Sequence, residues 1–460
     1  MKILHYMPGL PPVRDGGLVR YAIDLMKQEK LMGEKIVLLI PGALTWNGKN
    51  QVKIKRYRGN ARVVPSYVIV PPLPISMGNG IADIPAYTKE CGNSVYAGFL
   101  RRTMPDIIHI HTFMGLHREF LEEAKKLKIP VVFTSHDYFG ICPKADLMLE
   151  DAVCTDNMWK QCGSCCKHAY SQKRLRIEQS VWYRFYRNQK WMVSIVHKGI
   201  MKTMFQTLRA PKTEKISHAD AAGPMDLQDY SGLRAYYQGM FDQITCFHFN
   251  STTAKKAYSR RLGDINGCVI GISHLGIRDH RKKRSAGKKL RLGYFGGWLE
   301  HKGFFRLLDV CRRMYEQGYR ELELHVYSDT EKREEAFVVS HKRYHVQKMQ
   351  HVFDQIDLLV VPSIWQETFG FVVLEALSYG VPVVISENVG AKDILIRNPG
   401  CGILYDGTAK GLKCALVQIY KQRWQLQQMN ERILNMGDEF SYETHVKKML
   451  ELYRKLLSRV

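Results

Sequence analysis

Short apolar runs alternate with helical patterns from the first residues of the chain. Lys2-Ile3-Leu4-His5-Tyr6 reads as a strand. A loop rich in glycine and proline follows, and then Leu18, Tyr21, Ala22, Leu25 and Met26 fall at the three-to-four spacing of one helix face. Gly33 closes that helix, and Ile36-Val37-Leu38-Leu39-Ile40 is a run apolar on both faces. Strand, helix and doubly buried strand make a βαβ unit, which implies a parallel sheet covered on both sides. The rhythm returns with a strand at Ile107-Ile108-His109-Ile110, a helix from Arg118 to Leu127 and a strand at Val131-Val132-Phe133-Thr134.

From about 140 to 240 the rhythm breaks, and this stretch reads as a helical, cysteine-containing insertion into the first domain. Regular grammar resumes with Ile244-Thr245-Cys246-Phe247 and a helix opening at Ser251. Residues 278–289, dense in Arg and Lys, read as a solvated basic linker. A second series follows: strands at Leu290–Phe295, Leu322–Tyr327, Leu358–Pro362 and Val381–Ile385, with helices from Phe304 to Tyr315 and through Leu377. The predicted fold is α/β, with Rossmann-like doubly wound parallel-sheet domains at 1–277 and 290–440 facing a cleft at the carboxyl ends of their strands. The tail, 441–460, is expected to be a helix packing back on the first domain.

Charge sharpens this picture. The 460 residues carry 68 Lys and Arg against 44 Asp and Glu, a net charge of +24. Such an excess points to an anionic counterpart: nucleic acid, an anionic membrane face or a phosphorylated small molecule. Apolar residues at 45% and charged residues at 24% exclude a disordered acidic chain. No run of about 18 apolar residues suggests a membrane span, and the amino terminus lacks a signal-peptide pattern, so a cytoplasmic location is expected. The 11 cysteines, odd in number and mostly scattered, are not a secreted disulfide framework.

The richest stretch runs from Pro362 to Val384 and contains Glu367-Thr368-Phe369-Gly370-Phe371 and Glu375. A strand ends at Pro362, and Thr368 is suited to cap a helix with Phe369 and Gly370 in its first turn. Free amides at such a start, with Gly370 allowing close approach, suit a diphosphate. Glu367 and Glu375 would stand about 12 Å apart along a helix axis, placed to grip two ends of one elongated ligand. The alternative is a dipole partner and a surface charge, but Glu375 sits among Val372, Val373, Leu374, Ala376 and Leu377.

This stretch resembles the Glu-x7-Glu signature of retaining GT-B glycosyltransferases, in particular the GT4-like family (glycosyl transferases group 1). The Gly16-Gly17 loop, Thr134-Ser135-His136-Asp137 and Lys302-Gly303 extend the likeness over nearly the whole chain. The resemblance implies that Glu367 binds donor-sugar hydroxyls, Glu375 holds the nucleotide ribose, and the amides around Thr368, Phe369, Gly370 and Phe371 cradle diphosphate and sugar. Lys302, in the loop with Gly296 and Gly297, would neutralise the leaving diphosphate. Gly16 and Gly17 would approach the phosphate and acceptor, and His136 would contact the donor sugar across the cleft; a structural His bonded to Asp137 is the alternative. Many relatives carry Arg where this chain has Gly297, so the cationic clamp departs from the pattern. No Asp-x-Asp occurs, so transfer without a metal cofactor is expected.

The implied reaction moves a sugar from a nucleotide-diphosphate sugar donor to a saccharide or lipid-linked saccharide acceptor in cell-surface polysaccharide biosynthesis. A catalytically weak sugar-nucleotide-binding scaffold is the alternative. Cys142, Cys154, Cys162 and Cys165, with Cys166 alongside, suit a tetrahedral structural zinc; reduced thiols or disulfides remain open. A basic aromatic stretch (Lys173, Arg174, Arg176, Trp182, Tyr183, Arg184, Phe185, Tyr186, Arg187, Lys190, Trp191, Lys198, Lys202) fits peripheral contact with an anionic membrane at the inner face of the plasma membrane. Internal packing is the next reading, and nucleic acid the least favoured.

Overall fold

The computed structural model describes residues 1–45, 51–59, 64–77, 79–188, 229–285, 287–329, 335–343 and 348–458. The doubly apolar runs form two separate sheets. The first has eight strands in the order Gly267–Val269, Cys246–Phe249, Val131–Thr134, Ile107–Ile110, Lys2–Tyr6, Lys35–Pro41, Ser66–Val70 and Lys53–Arg56. All neighbours pair in parallel except the edge strand Lys53–Arg56. The second has six parallel strands in the order Val338–His341, Leu322–Tyr327, Leu290–Phe295, Leu358–Val361, Val383–Ser386 and Gly402–Tyr405.

In each sheet the first strand in sequence lies between neighbours that the chain reaches in opposite directions. That reversal opens a crevice past the carboxyl ends of the strands, at Tyr6 in one domain and Phe295 in the other. The helix Tyr442–Leu457 returns to the first domain, where Tyr453 and His445 meet His109 and Tyr21 in buried hydrogen bonds.

The basic connection between the sheets is not simply solvated, as its composition suggests. Arg281 donates to the carbonyls of Ile433, Leu434 and Met436, and Arg284 to those of Phe353 and Ile356. Each guanidinium donates to carbonyls around helix ends, so these two residues anchor the connection to the second domain.

The hairpin Met148–Leu149/Ala152–Val153 and the helices Cys162–Cys165, Gln172–Glu178 and Val181–Asn188 occupy the expected insertion. Trp182 and Phe185 are exposed, whereas Arg184 folds inward onto the carbonyls of Pro41 and Gly42. Burial lowers the Arg184 guanidinium to about 10. The side chains of Tyr186 and Arg187, together with Lys190, Trp191, Lys198 and Lys202, lie outside the described residues. Among the described residues, no helix is long and apolar enough to cross a membrane.

Candidate active site

Glu367 leaves the strand Leu358–Val361 through a short loop tied to the next strand. Its amide donates to the Asn388 carbonyl at 2.9 Å, and its own carbonyl accepts from Gly390 at 2.9 Å. Its carboxylate takes a hydrogen bond from Lys302 Nζ at 2.5 Å and one from the Ser363 hydroxyl at 2.8 Å. Burial works against its charge, yet the Lys302 ammonium outweighs that penalty, with help from Ser363 and His301. The carboxyl is held below the usual Glu range.

Lys302 ends a single turn, Glu300–Lys302, stapled to the same loop. The His301 carbonyl accepts from the amides of Ile364 and Trp365, and Lys302 Nζ lies 4.6 Å from the centre of the Trp365 ring. Cation and carboxylate are therefore held by one rigid unit.

The helix starts later than its sequence suggests. It runs Phe371–Ser378 with Gly370 as the N-cap at φ 100°, and no side chain caps it. Thr368, expected in the capping role, instead sends its hydroxyl to the His136 carbonyl of the first domain at 2.9 Å. Glycine supplies the left-handed turn that Thr would resist, which frees the Thr368 hydroxyl to join the domains. Phe369 is buried, and its carbonyl accepts from Ala391. The first amides of the helix have no intrahelical acceptor and form its positive end.

Across the gap, Gly16 and Gly17 are exposed at the start of the helix Gly17–Leu31. A side chain at Gly17 would come within 3.5 Å of the Phe371 ring, so the first-domain loop faces the helix start directly. Glu375 is buried; its Oε1 lies 3.2 Å from His274 Nε2 and 4.0 Å from Arg20 Nη1. Arg20, Gly296, Gly297, Tyr327, Arg343 and Glu375 line one cavity of about 580 Å³. Glu367 and Lys302 are not part of its wall. Two cations thus share the cavity with Gly297, the position where an Arg was missing. Arg20 and Arg343 were not singled out from the sequence because their partners lie far along the chain.

His136 also differs from its simple structural reading. Its Nε2 pairs with His111 Nδ1 at 3.2 Å, while Asp137 accepts from the Phe139 amide at 2.9 Å. Burial pushes the Asp137 carboxyl up to about 6, against the pull of that amide. A folded value above the unfolded one (about 3.9) means the folded state holds the proton more tightly. Stability attributable to Asp137 is present below about pH 4 and falls as pH rises towards 6. Asp137→Asn is therefore expected to match the parent in thermal melts near pH 4 and to exceed it near pH 7.5. Equal melting temperatures at both values would contradict the shift.

The cysteine set does not converge as expected. Among the described residues, no three of these sulfurs lie within 4.8 Å of one another. Cys154 pairs its amide with the Leu147 carbonyl on the hairpin, and its carbonyl receives Arg261. Cys162 instead has Cys142, Cys166 and Cys165 as charged-state neighbours, and burial raises its thiol. Cys142, Cys154, Cys162 and Cys165 do not fit a four-thiolate zinc site in this arrangement.

Residues 289–422 match the model of glycosyl transferases group 1. That segment belongs to the group 1 glycosyltransferases. It contains Lys302, Glu367 and Glu375.

The D-inositol 3-phosphate glycosyltransferase of Rhodococcus jostii (strain RHA1) is 32% identical to the chain over 108 residues, 23% of this chain and 24% of that protein. The protein of the same description from Rhodococcus erythropolis (strain PR4 / NBRC 100887) is 30% identical over 110 residues, 24% of each chain. The chain therefore matches about a quarter of the length of these relatives.

Two solved structures align over essentially the whole chain. Sucrose-phosphate synthase from Thermosynechococcus elongatus has a TM-score of 0.56 at 13% identity, covering 100% of both chains. Anabaena HepE in complex with UDP has a TM-score of 0.56 at 14% identity, covering 99% of this chain and 100% of that one. At such identities the likeness speaks to the fold: the group 1 glycosyltransferase segment is the second half of a GT-B pair of Rossmann-like domains.

Proposed function

We propose that this protein is a retaining glycosyltransferase that takes a sugar from a nucleotide-diphosphate sugar and passes it to a saccharide or lipid-linked saccharide in cell-surface polysaccharide biosynthesis. The observation that carries this reading is the half-buried Lys302–Glu367 pair set beside the uncapped helix start at Gly370, with Glu375 on that same helix. The sequence relatives are named as glycosyltransferases, and HepE was solved with UDP.

In the proposed reaction the bond from the anomeric carbon to the phosphate oxygen breaks as the acceptor oxygen bonds from the same face. The acceptor's proton passes to the departing phosphate. Negative charge grows on that phosphate, where Lys302 and the helix amides meet it; this is the largest expected catalytic contribution. Arg20 and Arg343 are proposed to supply the charge absent at Gly297. Glu367 takes sugar hydroxyls and Glu375 the ribose. With the charge met by protein groups, no divalent metal is required.

The exposed Trp182 and Phe185, with Lys173 on the preceding helix, are proposed to touch an anionic membrane at its cytoplasmic face, bringing a lipid-linked acceptor within reach. The experiment is a thermal-shift screen of nucleotide sugars. A donor at a hundred times its Kd is expected to stabilise the fold by about 2.7 kcal/mol. No shift with any donor would count against the reading. A shift without nucleotide release under any acceptor would favour a binding scaffold.

A further inference from the structure

Behind His136 lies a file of buried side chains that the transfer reading does not use. His136 Nε2 is 3.2 Å from His111 Nδ1, His111 Nε2 is 3.1 Å from His5 Nδ1, and His5 Nε2 is 2.8 Å from Glu29 Oε2. His5, His111 and Glu29 are fully buried. The other Glu29 oxygen accepts from Tyr453 on the returning carboxy-terminal helix at 3.2 Å. The ring planes support the file: His5 and His111 are tilted by only 12° and His111 and His136 by 30°, with centres 5.4 Å apart in each pair, as edge-to-edge N–H···N bonds require.

Each link joins two nitrogens, or a nitrogen and a carboxylate, so one partner must donate and the other accept. A carboxylate only accepts, which makes His5 donate through Nε2 and accept at Nδ1. His111 must then donate through Nε2 and accept at Nδ1, and His136 must donate through Nε2. The neutral ring state this requires agrees with burial, which lowers His111 and His136 well below the usual His range. The remaining nitrogen of His136, Nδ1, has no hydrogen-bond partner among the described residues.

We propose that Glu29, His5 and His111 form a directional relay that fixes His136 in its Nε2–H form and keeps Nδ1 as an acceptor for a ligand hydroxyl. The three relay members are positioning residues. They set the tautomer of the ring that closes on the donor, as a buried carboxylate sets a catalytic imidazole. The functional consequence rests on the transfer reading: His136 receives a hydrogen bond from a sugar hydroxyl and does not protonate the leaving group.

A metal is the competing use of the same rings, since His5, His109 and His111 each bring a nitrogen within 4.8 Å of the others. Every nitrogen of these three rings already has a hydrogen-bond partner, including Thr134 and Tyr453 on His109. The relay and the two His109 contacts occupy all of them without an ion.

The test is NMR on the full chain labelled with 15N-histidine, which reads couplings across N–H···N hydrogen bonds directly. Two couplings are expected, from His136 Nε2 to His111 Nδ1 and from His111 Nε2 to His5 Nδ1, each with the proton on Nε2. His111→Phe should abolish both and release His136 to a mixture of tautomers. His111→Gln, whose amide oxygen can still accept, should keep His136 in the Nε2–H form. Protons on Nδ1, absent couplings in the parent chain, or a stoichiometric metal whose removal shifts all three rings would overturn the relay. The parent spectrum decides this even if a variant does not fold, and it does so whether or not any sugar is transferred.

Discussion

Lys302→Ala is expected to lower the rate of sugar transfer by about a hundredfold to a thousandfold, the cost of removing one preorganised group from a developing negative charge. The KM for the donor should change far less, because the charge on the phosphate grows mainly as the bond breaks. The pair with Glu367 complicates a simple reading. Removing Lys302 strands a half-buried carboxylate, and that alone can disturb the site. The double variant Lys302→Ala/Glu367→Gln separates the two effects. Measured against Glu367→Gln alone, the double variant should lose no further transfer if the stranded charge caused the loss; a further loss is expected instead.

The acid side of the rate profile gives a further check. Glu367 is held below the usual Glu range in the intact protein, so its charge is present at neutral pH and is lost only as the pH falls through that depressed value. Without Lys302 the dominant opposing influence is burial, which raises the carboxyl. The acid limb of transfer in the single variant should therefore move to higher pH, as measured by initial rates across the profile.

Gly303→Ala is expected to destabilise the fold by about 3 kcal/mol or more and to reduce transfer together with stability. Gly303 sits at φ 73°, and a β-carbon there would lie 1.9 Å from the Pro362 carbonyl oxygen. Backbone cannot yield as a flexible side chain can, so the turn or the loop must shift. The turn carries Lys302 and the loop leads to Glu367, whose separation of 2.5 Å leaves no slack. Denaturant unfolding and transfer rates on the same preparation would test this. A variant with parental stability and full transfer would show that the close fit is unimportant.

Much of the fold was legible along the chain because strands buried on both faces must be apolar throughout. Ile36–Ile40 and Leu358–Val361 carry that mark, and both lie inside parallel sheets. The spacing of Glu367 and Glu375 was equally readable, since it belongs to one loop and one helix. Local pattern failed where a polar group had a distant choice of partner. Thr368 has the chemistry of a helix cap, but the His136 carbonyl, 232 residues away, takes its hydroxyl.

The same holds for the residues around that site. Arg281 and Arg284 look solvated in a basic run, yet backbone carbonyls elsewhere in the second domain hold them. His5 sits in a strand and His111 just past the end of one, positions that reveal only burial; their donor and acceptor order comes from Glu29, which a different element brings beneath them. Apolar burial depends on the residue itself and its near neighbours, so it is written locally. Hydrogen bonding depends on which atoms the folded chain brings within about 3 Å, and only the assembled structure determines that.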